Sequence, residues 1–75
     1  MVILGIATSP TTGYIYVVSS SSKSSFVYVV DPSNYQIVDT IHGVVSYARH
    51  IVITPNGQYA YVGGTGISVI SLSNN

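Results

Sequence analysis

Apolar residues in this chain come in short clusters, and no stretch carries a 3.6-residue stripe. The clusters are Ile3–Thr8, Tyr14–Val18, Phe26–Val30, Gln36–Ile41, Ile51–Thr54, Tyr59–Val62 and Ile67–Leu72. Each is rich in β-branched and aromatic residues and bounded by Gly, Pro, Ser, Asn or Asp. That pattern predicts seven short strands and no helix. Ile3–Thr8 is apolar without strict alternation, as in a strand covered on both faces. Gln36–Ile41 alone has a charge in its middle, Asp39, which suits an outer strand with one wet face.

The connections carry turn chemistry. In Thr54-Pro55-Asn56-Gly57, Pro pre-sets φ and Asn-Gly tolerates the positive φ that follows. Asp31-Pro32-Ser33-Asn34 reads as a type I turn with Asp at the first position. Ser19–Ser25 is a serine-rich polar loop around Lys23, Gly43–Arg49 is a second loop, and Gly63–Gly66 is a third.

A spacing then organises the whole chain. Pro10 matches Pro55, Tyr14 matches Tyr59, Tyr16 matches Tyr61 and Val17 matches Val62, each 45 residues apart. Val27–Val30 aligns with Ile67–Ile70 at an offset of 40. A period of this size is the signature of stacked structural units. The predicted architecture is all β, with antiparallel four-stranded units over residues 1–45 and 46–75, the second lacking its outer strand. The two make a single domain or part of a larger assembly.

The residues that carry this period resemble a known family. Ile51-Val52-Ile53-Thr54-Pro55-Asn56-Gly57-Gln58-Tyr59-Ala60-Tyr61-Val62 is similar to the YVTN type of β-propeller repeat. So is Val27-Tyr28-Val29-Val30-Asp31-Pro32-Ser33-Asn34 followed by Ile37-Val38-Asp39-Thr40-Ile41. The resemblance covers nearly the whole chain, about one and three-quarter blades. Gly63-Gly64 and Val18-Ser19 stand where the family has Thr-Asn. The resemblance implies propeller-like blades and an extracellular or cell-surface setting, as in surface-layer and secreted proteins.

Composition narrows the function. The chain has 75 residues, no cysteine, and only Lys23, Arg49, Asp31 and Asp39 as full charges. A domain this small is marginal on its own, and no disulfide or thiolate metal site is available to it. Zero net charge favours association and argues against nucleic acid as a partner, since phosphate neutralisation needs several cations. No apolar run approaches the ~18–20 residues of a membrane-spanning helix. The strands are shorter than the ~9–11 residues of a transmembrane barrel. The first residues lack the basic start of a signal sequence, and Thr8-Ser9-Pro10 cuts their apolar run short.

A meander alternates its loop ends, so Lys23, His42, Tyr47, Arg49 and His50 share one end. A cationic and aromatic rim suits a glycan or an anionic ligand; ordinary solvated loop residues look the same. His42 and His50 fall short of the three or four ligands a metal requires. Neither a paired acid and base, a nucleophile elbow nor a phosphate loop is present, so no catalytic residue or cofactor is expected. Ile67, Val69, Ile70 and Leu72 form a last strand without charge or proline, an unguarded edge suited to assembly. The expected function is therefore a non-enzymatic structural module that binds copies of itself in a ring or filament. The alternative is a glycan- or anion-binding module on the Lys23/Tyr47/Arg49 face.

Overall fold

The computed structural model describes residues 2–20 and 24–72. Seven strands form two antiparallel sheets. The first sheet runs in the order β1 (Val2–Thr8), β2 (Ile15–Ser20), β3 (Ser25–Asp31), β4 (Gln36–Ile41). The second runs β5 (His50–Ile53), β6 (Tyr59–Gly63), β7 (Ile67–Ser71). The all-β expectation of seven short strands is met, and within each sheet every strand pairs with its sequence neighbours as a meander does.

The two hairpins share one register. Ile6 pairs with Val17, Ala7 with Tyr16 and Thr8 with Ile15. Ile51 pairs with Val62, Val52 with Tyr61 and Ile53 with Ala60, the same positions 45 residues on. The third strands agree as well: Tyr16 pairs with Val29, and Tyr61 with Val69. Even the turn closure matches, with Ser9 N donating to Tyr14 O at 2.8 Å and Thr54 N donating to Tyr59 O at 2.9 Å.

Because side chains alternate across a strand, each register assigns a face. Tyr16, Val18, Val27 and Val29 of the first sheet face Ile51, Ala60 and Val62 of the second, with Ala48 and Leu72 completing the buried core. The sheets come closest along β1 and β5. No other strand pair between the sheets, apart from β2 and β5, brings Cα atoms within 8 Å among the described residues. Gly5 permits this approach: a Cβ there would lie 3.0 Å from the Arg49 carbonyl oxygen.

Three details depart from the expected layout. Three serines of the serine-rich stretch are strand residues: Ser19, Ser20 and Ser25 belong to β2 and β3 and are buried. The Asp31 turn closes one residue later than expected, with Tyr35 N donating to Asp31 O at 2.7 Å and Tyr35 at φ 58. Bulges interrupt β1 between Ile3 and Gly5 and shift the β3–β4 register between Val29 and Val30. The additional residues are Leu4 and Val38, which a periodicity argument does not anticipate.

Candidate functional site

Three regions could carry function, and the loop end comes first. Ala48 N donates to Ser25 Oγ at 3.1 Å, and Ser25 Oγ donates to Ser20 Oγ at 3.2 Å. Thr65 N donates to Ser46 O at 3.1 Å, and Val45 N donates to Ser68 Oγ at 3.0 Å. These bonds draw the adjoining ends of β2 and β3 and the β4–β5 and β6–β7 connections together at one end. Tyr47, Arg49, His50 and His42 are all exposed there. Tyr47 stands 60% exposed at φ 55, a strained conformation for a bulky residue. Arg49 N donates to Gly63 O at 2.8 Å, which fixes its backbone and leaves its side chain in solvent. His42 meets the Phe26 ring edge-on, with centroids 5.2 Å apart. Lys23 lies outside the described residues. Among those residues, no three His, Cys, Asp or Glu gather closely enough to hold a metal ion.

The turn end gathers the other connections. A Cβ on Gly57 would run into the Thr11 hydroxyl, and one on Gly13 would lie 3.9 Å from Pro32 Cγ. Asp31 accepts from Ser33 N at 2.9 Å and from Ser33 Oγ at 2.7 Å. Those two bonds hold its carboxyl below the usual carboxylate range, against a smaller opposing effect of desolvation. Above the turns, where the sheets diverge, lies a cleft of about 240 Å³ lined by Tyr14, Tyr16, Val29, Val38, Asp39 and Leu72, with Thr12 at its margin. Burial pushes the Tyr16 phenol above the usual tyrosine range, and Tyr14 and the Asp39 carboxylate add to the shift. Asp39 itself is exposed on the outermost strand and accepts from Thr40 N at 2.8 Å. Sequence reasoning missed this cleft. Its signal was the pairing of Tyr16 with Val29 and of Val29 with Asp39, which needs the register to be known.

The third region is the pair of outward faces. On the first sheet, the row Ile6, Val17, Tyr28, Thr40 lies between Ile3, Ser19, Phe26 and Thr8, Ile15, Val30, Ile37. On the second, Val52, Tyr61 and Val69 form a row flanked by Ile67 and Tyr59. Ile6 is 67%, Val52 62% and Val69 60% exposed. Val27, Val29 and Ile51 are buried between the sheets, a distinction the sequence pattern does not carry, because a period of two cannot tell which face another sheet will cover.

The proposed assembly edge needs a correction at one residue. Ile67 and Val69 are exposed, and Ile70 is half-buried on the inner face. Leu72 lies beyond β7, where its N donates to Gln58 O at 2.7 Å and its side chain is buried in the core. It contributes to packing between the sheets rather than to an open edge. Among the described residues, β7 pairs with β6 alone.

No protein-family model, curated protein or solved structure matches this chain. No helix among the described residues is long and apolar enough to cross a membrane.

Proposed function

We propose that this chain is a non-enzymatic structural module that assembles with copies of itself through propeller-like blades, at the cell surface or outside the cell. The observation that carries the reading is a mismatch of burial at matched positions. Ile51 is 8% exposed whereas Ile6, 45 residues earlier, is 67% exposed. Each sheet has two faces of apolar character, and only one face of each is covered within the chain. Soluble monomers rarely leave contiguous apolar patches beyond a few hundred Å² in water. The near-absence of charge supports the same reading, since little repulsion opposes contact. The surface setting rests on the resemblance to YVTN-type repeats.

Native mass spectrometry and light scattering at micromolar concentration test this. The expected result is a set of masses at multiples of 7.9 kDa. A folded particle that stays at 7.9 kDa overturns it.

A second reading is supported by Tyr47, whose exposed ring sits on a strained backbone beside Arg49 and His50. Strain of this kind clusters at ligand sites. In this reading the loop end, with Lys23, binds a glycan or an anionic ligand. Saturable binding on a glycan array that disappears in Arg49→Ala would support it, and an array without signal would remove it.

A further inference from the structure

We infer that the outward face of the second sheet, centred on Val52, Tyr61 and Val69, is a docking surface for a second copy of this chain. The second copy presents the outward face of its first sheet, centred on Ile3, Ile6 and Val17. This rests on the self-assembly reading and adds to it which face meets which.

The template lies inside the molecule. The matched registers equate Ile6 and Val17 with Ile51 and Val62. They equate Ala7, Tyr16 and Val29 with Val52, Tyr61 and Val69. Within one chain, the face carrying Ile51 and Val62 packs on the face carrying Tyr16 and Val29. Each open face is therefore the counterpart of a face already engaged. The Ile6 face matches the half that sits on the Tyr16 face. The Tyr61 face matches the half that receives the Ile51 face. Bringing the two together in trans continues the existing interface without inventing a new one.

Pairing two Ile6 faces, or two Tyr61 faces, has no such template. The contact between copies is consequently heterologous, head to tail, and leaves one face of each kind open at the ends of any linear assembly. Within the chain, Gly5 lets β1 lie against the Arg49–His50 backbone. The position 45 residues after Gly5 is His50, which has a side chain, so the junction in trans is without that glycine contact and sits wider than the one in cis.

Two charge substitutions test the arrangement. Ile6 and Val69 are exposed, so Ile6→Lys and Val69→Lys each block one face with little effect on the core. Each variant alone is expected to remain at 7.9 kDa. An equimolar mixture is expected to give a heterodimer at twice that mass, because one partner keeps an intact Tyr61 face and the other an intact Ile6 face. Circular dichroism confirms that each variant is folded. If wild type assembles but the mixture stays at 7.9 kDa, the head-to-tail inference is overturned while the self-assembly reading stands. If wild type itself stays at 7.9 kDa, the self-assembly reading fails with it.

Cross-linking gives an answer even if a lysine variant fails to fold. The chain has no native cysteine. Ile6→Cys and Val52→Cys proteins, mixed and treated with a short bismaleimide, are expected to link to each other far more than either links to itself. Cross-linking of Ile6→Cys alone at the yield of the mixture overturns the inference.

Discussion

Tyr16 and Tyr61 hold the same place in two hairpins of identical register and face opposite surroundings, at 4% and 44% exposure. Under the proposed self-assembly, the contrast separates folding from association. Tyr16→Ala removes a large side chain from the inter-sheet core and should cost about 3–5 kcal/mol in urea unfolding, as buried aromatic truncations do. Tyr61→Ala should change the stability of the isolated protomer little and should weaken assembly in sedimentation. Equal unfolding costs for the two variants would contradict this division.

Gly57 is a second test, of the turn. It sits at φ 72 as the residue whose N donates to Thr54 O at 2.8 Å, and a side chain there would meet Thr11. Gly57→Val combines φ strain with that clash and should destabilise by about 1 kcal/mol or more. A melting temperature equal to wild type would sink the turn assignment.

Alkaline pH should destabilise the chain through Tyr16. Its folded pKa is raised, chiefly by burial, so the neutral phenol is favoured in the folded state. That contribution is fully present below the unfolded tyrosine pKa of about 10 and is lost as pH rises through the folded value. Tyr16→Phe should flatten this part of the stability profile, as measured by urea midpoints between neutral and strongly alkaline pH.

On the acid side Asp31 has the opposite sign. Ser33 holds its carboxylate in the ionised form, so its folded pKa is lowered. The stabilisation is present above the unfolded value of about 3.9 and disappears as pH falls through the folded one. Ser33→Ala should shrink that acid dependence, since it removes the 2.7 Å hydroxyl bond and keeps the backbone one. An acid profile unchanged in the variant would show that Ser33 does not act on Asp31.

Ser25 ties the loop end together. Its buried hydroxyl accepts from Ala48 N and donates to Ser20 Oγ. Ser25→Ala leaves a buried N–H without that partner and should cost about 1–3 kcal/mol. A hydrogen-exchange experiment should show faster exchange at Ala48 in the variant; unaltered protection there would count against the bond.

Much of the fold was legible because local chemistry and spacing agreed. The Pro and Gly turns bracketed the strands, and the 45-residue offset of Tyr14 and Tyr16 marked the two hairpins as equivalent. The serines misled because a small polar side chain is tolerated in a strand once it finds a hydrogen bond, and Ser25 finds its partners in Ala48 and Ser20. Which face is buried was not legible at all. Ile6 and Ile51 are chemically alike, and only the packing of one sheet on the other separates them. The cleft beside Asp39 was hidden for a related reason, since the bulge at Val38 sets where that carboxylate lies. The strain at Tyr47 leaves no trace in composition.

Gly5 and the cleft beside Tyr16 mark the two ends of one geometric quantity. The sheets almost touch along β1 and β5 and stand apart at Val29, Asp39 and Leu72. In the proposed assembly each chain is thus a wedge, and stacked wedges would generate curvature. Identical junctions add their angles, so the taper between one glycine and a few large side chains decides whether a stack bends back on itself or spirals past closure. Lengthening the thin edge by a methyl group, as in Gly5→Ala, would reduce the taper and increase the number of copies needed to complete a turn.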